Sequence, residues 1–255
     1  MTRPVPRLTA ALALCSVALL SGCAAQSQGI DVSADWPDFG QTATPTPDPS
    51  AAAARPAGEL PADPTMLIFG DSWTNGLAAT STDKRYATLT GEILGWPTTV
   101  DGENGSGYLS PGSDGEVYGT RVLSLPADLD PDVIVVQGSI NDRDKKLYKY
   151  EKAAIAVWNA LEAKYPDAEI IVLGPAPQVL PVQDATAELD EMLDEAAAQE
   201  GLTYISPIQD DWITEDNYDT VIDQSADAAL HPSDAGHAYL AEKLADELER
   251  LVPAA

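Results

Sequence analysis

Cysteine is nearly absent from this sequence, which has only Cys15 and Cys23 in 255 residues. Because Cys15 lies in an N-terminal apolar run that we expect to be cleaved off, no disulfide can form within the mature chain. Small disulfide-stapled scaffolds are therefore excluded, and a sizeable apolar core has to hold the fold. Histidine is equally scarce, with two residues. This argues against a histidine-rich metal site, and we expect neither a metal nor another cofactor.

Positive charge is the second scarcity. The chain has 14 Lys and Arg against 41 Asp and Glu, a formal net charge of -27 at pH 7. Such a surface repels nucleic acids and anionic lipid headgroups, so we expect no nucleic-acid partner and no membrane contact except through a lipid anchor. One exception is the stretch RDKKLYKYEK, residues 143–152. We interpret it as a solvated face at the start of a helix.

The N-terminus has the pattern of a secretory signal. Two arginines precede an apolar run from Leu8 to Leu20, and LSGC follows at residues 20–23, which resembles the lipobox of bacterial lipoproteins. We predict a lipoprotein-type signal peptide over residues 1–22 and lipidation of Cys23, which places the protein outside the cytoplasm on a membrane lipid anchor. The alternative is an ordinary cleaved signal with an incidental cysteine.

Composition divides the rest of the chain into two parts. Residues 23–64, which begin with Cys23, are rich in Pro, Ala and Thr without a sustained apolar period, so they predict a disordered tether. Residues 65–252 have the size of one domain, and we expect a monomer.

Apolar runs and amphipathic stretches alternate along residues 65–252. The runs DVIVVQG and EIIVLGP are almost wholly apolar, end in glycine and indicate strands buried on both faces. Alternating strands and helices predict an α/β fold with a doubly wound sheet. Strands are predicted at 65–69, 97–101, 132–137, 169–173 and 202–205, and helices at about 83–95, 143–165, 184–200 and 233–251.

Chemically capable residues follow these strands. Ser72 follows the first strand in LIFGDSWTNG, the glycine-rich loop 101–112 follows the second, and Asn141 follows the third in GSIND. His231 precedes the last helix in LHPSDAGH. Because the carboxyl ends of parallel strands share one edge, these groups converge there. A nucleophile, a base and oxyanion donors are the parts that acyl transfer needs, although Ser72 could instead only cap a helix.

These residues resemble the four sequence blocks of the SGNH hydrolases, also called GDSL esterases and lipases. Ser72 in GDSW matches the nucleophile block, although Trp73 stands where the family name has leucine. Gly107 in ENGSGY matches the second block, with Gly105 as the alternative, and Asn141 and His231 match the third and fourth. The resemblance spans residues 65–252.

The resemblance implies a three-layer α/β/α, flavodoxin-like fold with a parallel five-stranded sheet, and hydrolysis of a carboxylic ester through an acyl-serine intermediate. It implies Ser72 as the nucleophile and His231 as the base. The implied oxyanion hole consists of the backbone N–H groups of Ser72 and Gly107 and the side-chain amide of Asn141. The implied substrate is a small-molecule or polysaccharide ester, in which acyl groups, with acetyl as one case, are attached to an extracytoplasmic carbohydrate or lipid.

The third member of the triad departs from the family pattern. The family usually places an aspartate three residues before the histidine, and this sequence has Ala228 there. Asp227, Asp223 or a main-chain carbonyl could each orient His231, and we favour Asp227 as the third catalytic residue. The missing aspartate keeps a non-hydrolytic binding or assembly lipoprotein open as an alternative, and an acyltransferase is a further alternative.

Four other residues carry weaker signals. Trp73 and Trp212 could each wall the substrate pocket or simply pack in the core, and Tyr108 has the same two interpretations. His237 lies within the last predicted helix, where we expect a structural role.

Overall fold

The computed structural model describes residues 60–61 and 63–251. The predicted signal peptide, the predicted lipidation site Cys23 and nearly all of the predicted tether lie outside the described residues. The described part begins just before the first predicted strand and continues to the end of the last helix.

A parallel sheet of five strands forms the centre of the domain. The strand order is β2-β1-β3-β4-β5, which is the flavodoxin-like order. β1, β3 and β4 lie inside the sheet, and their runs of branched and aromatic apolar residues suit strands covered on both faces. The strands are β1 (Met66–Gly70), β2 (Thr98–Gly102), β3 (Val133–Gln137), β4 (Glu169–Leu173) and β5 (Thr203–Ile205).

Seven α-helices, three 3₁₀ turns and two further short strands complete the secondary structure of the described part. The two short strands, β6 (Ile222–Asp223) and β7 (His231–Pro232), pair in antiparallel register as a separate small sheet. The helices are α1 (Ser72–Asn75), α2 (Tyr86–Leu94), α3 (Tyr118–Ser124), α4 (Tyr150–Lys164), α5 (Asp184–Glu200), α6 (Tyr218–Val221) and α7 (Asp234–Leu251).

The side chains of the sheet divide between two apolar cores. Because successive residues of a strand point to opposite faces, Leu67 and Phe69 of β1 join α3, α4 and α5 in one core. Met66 and Ile68 join α2 and α7 in the other. Helices therefore cover both faces of the sheet, and the predicted three-layer α/β/α fold is confirmed.

The structure differs from the sequence-based prediction at the start of α4 and in short elements that were not predicted, namely α1, α3, α6, β6 and β7. The helix predicted from residue 143 begins at Tyr150, because two 3₁₀ turns, Ile140–Asp142 and Leu147–Lys149, take up the preceding residues. The short helix α3 was not predicted; Gly119 and the buried Arg121 obscure its apolar face in the sequence. Within the part of the chain that the structure describes, no helix has the length and apolarity needed to cross a bilayer.

Candidate active site

The turn after β1 presents Ser72 at the carboxyl edge of the sheet. Gly70 is required there, because an added Cβ would lie 2.3 Å from Thr74 Oγ1 and 2.5 Å from Gln137 Oε1. Asp71 caps the next helix, its Oδ1 accepting a hydrogen bond of 2.9 Å from the Trp73 N–H. Ser72 thus begins α1, where backbone N–H groups have no acceptor inside the helix. Its N–H is suited to bind an oxyanion.

His231 reaches Ser72 from the opposite end of the sequence. It lies in β7, which pairs with β6 and leads into α7. The Ser72 Oγ and the His231 Nε2 are 2.7 Å apart, and both residues are buried. The two residues are 159 positions apart in the chain, so tertiary structure alone creates the contact. The distance is that of a nucleophile hydrogen-bonded to its base.

The other imidazole nitrogen faces the main chain. His231 Nδ1 lies 3.0 Å from the carbonyl oxygen of Ala228 and 3.0 Å from that of Ala229. Carbonyl oxygens only accept hydrogen bonds, so Nδ1 must carry a proton, and in the neutral imidazole Nε2 is then bare. The bare Nε2 accepts the hydrogen bond that the Ser72 hydroxyl donates. The main chain therefore fixes the tautomer needed for general-base catalysis.

The preference for Asp227 as the third catalytic residue is wrong in this structure. Asp227 is exposed, and the two carbonyls occupy the position that its carboxylate would need. Asp223 is also directed elsewhere, with its Oδ1 accepting from the Ser225 N–H at 2.8 Å. The main-chain carbonyl, which the sequence left open, is the acceptor.

A strained turn directs the carbonyls at the imidazole. Ala229 and Leu230 both adopt positive φ angles, of 49° and 59°, a region that residues with side chains rarely enter. The His231 N–H also donates to the Ala228 carbonyl at 3.1 Å. The turn thus places main-chain oxygens where the family pattern would place a carboxylate.

Burial lowers the pKa of His231 below its ordinary value of 6.5, and the bonds to the carbonyls of Ala228 and Ala229 oppose that shift. Burial disfavours the charged imidazolium, whereas a carbonyl dipole stabilises it less than a full negative charge does. The imidazole is therefore neutral, and able to accept a proton, at neutral pH.

Asn141 lies in the 3₁₀ turn that follows β3. The Ser139 Oγ accepts from the Asn141 N–H at 3.1 Å, and the Ser110 Oγ donates to the Asn141 carbonyl at 2.6 Å. The Asn141 Nδ2 donates to the Ser106 carbonyl at 2.9 Å. An amide nitrogen has two hydrogens, so one remains to serve as the donor that the sequence predicts.

Gly107 does not offer a free donor in this structure, contrary to the sequence-based prediction. Its N–H donates to the Ser110 carbonyl at 2.9 Å within the same loop. Glycine is required for another reason, because a Cβ here would lie 2.6 Å from the Asp142 Oδ2. Gly105, the alternative in the second block, has a φ of +77° and serves the turn of the loop.

Asp142 holds the glycine-rich loop against the turn that carries Asn141. Its buried carboxyl accepts from the N–H groups of Tyr108 and Leu109 at 2.8 and 3.1 Å. Burial raises the pKa of Asp142 to about 6, against the lowering effect of its hydrogen bonds. The sequence places Asp142 beside Asn141 without indicating that it positions the second block.

Arg121 is a positioning residue that the sequence analysis missed. It is buried, and its Nη1 donates to the Gly70 carbonyl at 2.8 Å and to the Ser106 Oγ at 2.6 Å. It also pairs with the carboxylates of Asp101 and Glu103. Arg121 thereby ties the end of β1 to the glycine-rich loop. Its position among apolar residues in YGTRVLS is the signal that could have identified it.

The remaining sequence candidates pack around the site. Trp73 and Trp212 are both buried and line one cavity of about 20 Å³, enough for roughly one water molecule. Tyr108 is a packing residue, with its hydroxyl accepting from the Trp158 Nε1 at 3.1 Å. His237 packs against Tyr86, away from the nucleophile. Within residues 60–61 and 63–251, no cluster of three or more His, Cys, Asp or Glu could hold a metal ion.

A serine hydrogen-bonded to an oriented histidine, on the carboxyl edge of a flavodoxin-like sheet, defines the class of serine-dependent ester hydrolases. The chain belongs to the GDSL-like lipase/acylhydrolase family, whose model matches residues 68–239. Those residues include Ser72, Asn141 and His231. The resemblance inferred from the four blocks is confirmed, and the protein is a carboxylic ester hydrolase.

One curated relative and two solved structures illustrate the similarity. The GDSL lipase Rv0518 of Mycobacterium tuberculosis is 28% identical over 189 residues, which cover 71% of this chain and 79% of that protein. A carbohydrate acetylesterase family member from Sinorhizobium meliloti is 15% identical, with a TM-score of 0.58, covering 74% of this chain and 99% of that one.

A family two carbohydrate esterase from Clostridium thermocellum, solved in complex with cellohexaose, is 19% identical, with a TM-score of 0.59. The match covers 75% of this chain and 65% of that one. At these identities the two structures establish the shared fold alone.

Proposed function

We propose that this protein removes small acyl groups, acetyl among them, from a carbohydrate ester outside the cytoplasm. The observation that carries the proposal is the 2.7 Å contact between the Ser72 Oγ and the bare Nε2 of His231. The family membership supports ester hydrolysis. The two carbohydrate esterases that share the fold support a carbohydrate as the alcohol part.

Acylation begins when the Ser72 Oγ attacks the ester carbonyl carbon and its proton passes to the His231 Nε2. The oxyanion that forms accepts hydrogen bonds from the Ser72 N–H and the Asn141 Nδ2. Gly107 becomes a third donor only if substrate binding releases its N–H from the Ser110 carbonyl. The imidazolium then gives its proton to the departing alcohol oxygen, which leaves an acyl-serine.

Deacylation repeats these steps with water as the nucleophile. His231 takes a proton from water as the water oxygen attacks the acyl carbon, and returns it to the Ser72 Oγ as the carboxylic acid leaves. A sugar hydroxyl in place of water would give acyl transfer. The carbohydrate acetylesterase family member from Sinorhizobium meliloti, which shares the fold, supports a short acyl group.

The experiment is hydrolysis of p-nitrophenyl acetate and p-nitrophenyl octanoate by the full chain and by Ser72→Ala. The proposal expects acetate to be the better substrate and Ser72→Ala to lose at least about 10⁴ in kcat. A fluorophosphonate should label the wild-type chain and Ser81→Ala, an exposed-serine control, but not Ser72→Ala. Hydrolysis that survives Ser72→Ala would overturn the mechanism, and preference for octanoate would overturn the short-acyl assignment.

We further propose that the protein acts from a lipid anchor at Cys23 after cleavage of residues 1–22. The arginines, the apolar run and the LSGC stretch support this location. Wild-type protein expressed with its signal in a bacterial host should partition into the detergent phase of Triton X-114, and Cys23→Ala into the aqueous phase. Equal partitioning of both would contradict the anchor.

A further inference from the structure

The strongest concentration of positive charge lies directly after the oxyanion donor Asn141. Five of the 14 Lys and Arg residues of this chain fall within residues 143–152, which we term the basic segment, against the two acidic residues Asp144 and Glu151. The whole chain has a net charge of -27. The basic segment is therefore a local reversal of the charge that dominates the protein.

The segment does not form the helix face that the sequence suggests. Lys145 and Lys146 precede the 3₁₀ turn Leu147–Lys149, and the helix α4 begins only at Tyr150. The Lys145 N–H donates to the Asp142 carbonyl at 2.9 Å, and the Lys149 N–H donates to the Lys146 carbonyl at 2.9 Å. The lysines therefore lie on a folded turn beside the site.

Arg143 secures this turn instead of offering a free charge. Its guanidinium donates to the Gln183 Oε1 at 2.8 Å and to the Gln178 Oε1 at 3.3 Å. The Tyr218 hydroxyl in turn donates to the Gln178 carbonyl at 2.6 Å. Arg143 thus holds the basic segment to the loop that follows β4, and Tyr218 at the start of α6 holds that loop in place.

The lysine side chains of the basic segment are available to bind a ligand. Lys145, Lys146, Lys149 and Lys152 are exposed, and within residues 60–61 and 63–251 none of them forms an ion pair. By contrast, Lys84 pairs with Asp234 at 2.6 Å, and Arg250 pairs with Glu247 at 2.6 Å. Unpaired like charges this close together in the chain repel one another, and an anion bound among them relieves that repulsion.

An aromatic ring accompanies the lysines. Tyr148 is 71% exposed, which makes it the most exposed of the large apolar and aromatic side chains in the described part of the chain. The Lys149 Nζ lies 5.9 Å from the centre of its ring. An exposed aromatic face packs well against the apolar C–H face of a sugar ring. The lysines can therefore bind the carboxylate of an acidic sugar while Tyr148 packs against its ring.

The basic segment lies close enough to the catalytic residues for one polymer strand to contact both. Lys145 lies four positions after Asn141, which limits the distance between their Cα atoms to about 14 Å even for an extended chain. The turn closed by the Asp142 carbonyl makes the separation shorter still. An acylated sugar at Ser72 and an acidic sugar a few units along the same strand can therefore bind together.

We propose that the basic segment binds the carboxylate groups of an anionic polysaccharide whose acyl ester lies at Ser72. This inference rests on the proposed esterase function and names its substrate class. A polysaccharide strand fits better than a membrane surface, because an anionic bilayer would face much of a protein with a net charge of -27 and be repelled. A single strand contacts only the basic segment.

The experiment compares acetylated polygalacturonate, which is anionic, with acetylated xylan of matched acetyl content, which we use as the near-neutral polymer. Acetate release is measured for the full chain and for Lys145→Gln/Lys146→Gln/Lys149→Gln. We expect the triple variant to reduce the ratio of kcat/KM for the anionic polymer to that for the neutral polymer by about five- to twentyfold, mainly through KM. Raising NaCl from 0.02 to 0.5 M should reduce the wild-type ratio in the same direction.

The matched control is Lys164→Gln/Lys243→Gln/Arg250→Gln, which removes the same charge from elsewhere on the domain. This control should retain the wild-type ratio. Tyr148→Ala should raise KM for both polymers, because its ring packs on sugars of either charge. An unchanged ratio in the lysine triple variant, or an equal fall in the control, would overturn the proposal.

Binding of unacetylated polygalacturonate, measured by calorimetry on the full chain, separates this proposal from the proposed function. Loss of binding in the lysine triple variant would support the basic segment even if no ester were hydrolysed. No binding by wild-type protein at low salt would overturn the proposal even if p-nitrophenyl acetate were hydrolysed. Lysine-dependent sedimentation with phosphatidylglycerol vesicles, without polysaccharide binding, would assign the segment to a membrane surface instead.

Discussion

The two histidines of this chain lie six positions apart, and both are buried near the start of α7, yet only one faces the nucleophile. Burial lowers the pKa of both, and that of His237 falls to about 4. Neither burial nor the direction of the pKa shift distinguishes the base from the structural residue. The groups at the two ring nitrogens do.

The hydrogen bonds of the two rings imply opposite tautomers. His231 Nδ1 faces carbonyl oxygens and must carry a proton, so Nε2 is left to accept from the Ser72 hydroxyl. His237 Nδ1 accepts from the Tyr86 N–H at 3.2 Å, so its proton lies on Nε2, 3.4 Å from the Leu77 carbonyl. A histidine becomes a base when its bare nitrogen faces a hydroxyl, and a structural residue when it faces the backbone.

The largest expected effect comes from removing one imidazole and then the other. His231→Ala should reduce kcat for p-nitrophenyl acetate by at least about 10⁴, because nothing else at the site accepts the Ser72 proton. His237→Asn keeps an acceptor for the Tyr86 N–H and should stay within about threefold of wild type. A folded His237→Asn variant as inactive as His231→Ala would break the comparison.

The second-largest effect concerns stability, to which His237 should contribute more than His231. His237→Leu leaves the buried Tyr86 N–H without its acceptor, which should reduce the free energy of unfolding by about 1–3 kcal/mol at pH 7. Urea denaturation measures this loss, and His237→Asn, which restores an acceptor, should recover part of it. Equal stability of His237→Leu and wild type would show that the bond contributes nothing.

The pH dependence of that stability follows from the lowered pKa of His237. Its folded pKa of about 4 lies below the ordinary 6.5, so the unfolded chain binds more protons between these values. This contribution is complete above pH 6.5 and is lost as the pH falls towards 4. The stability difference between wild type and His237→Leu should therefore shrink across this window by up to about 3 kcal/mol.

The stability of wild type has to be compared with that of His237→Leu at each pH, because other groups change the stability of wild type in the opposite direction. Burial raises the pKa values of Asp71 and Asp142 to about 6 each. Their folded forms bind more protons than the unfolded chain between pH 3.8 and 6, which favours folding as the pH falls. A difference that grows on acidification would contradict the assigned state of His237.

A smaller effect should appear in the titration of His231. His237→Asn leaves a single histidine in the chain, so one imidazole signal can be followed by NMR without ambiguity. Its midpoint should lie below 6.5, because burial lowers the pKa. The acid limb of kcat/KM should follow the same midpoint. A midpoint above 6.5 would indicate a carboxylate partner that the structure does not show.

The smallest expected effect belongs to the aspartate that the sequence favoured. Asp227→Asn should leave kcat/KM within about twofold of wild type, because the exposed Asp227 does not hold the imidazole. Ala228→Asp introduces a carboxylate at the position that the family pattern favours and should raise the pKa of His231. The NMR titration measures both variants. A fall of tenfold or more in Asp227→Asn would restore the triad first expected.

Much of the fold follows from simple patterns in the sequence. The five strands lie within one residue of prediction at their first residues, and α5 occupies its predicted span of 184–200, because apolar runs and amphipathic periods dominate there. The start of α4 was wrong because lysines suit both a helix and the turns before it. The short α3 was missed because seven residues give too little periodicity to detect.

The candidate site divides in the same manner. The sequence analysis identified Ser72, Asn141 and His231, because their side chains can be recognised in the sequence after predicted strands or before the last predicted helix. The acceptor for His231 consists of main-chain atoms. Every residue has these atoms, so residue identities do not indicate which of them accepts. The Gly107 N–H was misjudged because its bond to the Ser110 carbonyl depends on the shape of the loop. Sequence patterns therefore specify reacting groups better than the backbone that orients them.

A base oriented by peptide oxygens has an unusual relation to mutation. No single codon change removes the acceptors opposite His231, since any residue at 228 or 229 supplies a carbonyl. Insertion or deletion of one residue before His231 would rotate both oxygens away. This turn should therefore need no acidic residue, but it has to keep its length and two residues that can adopt positive φ, and a search for a missing acidic residue would overlook it.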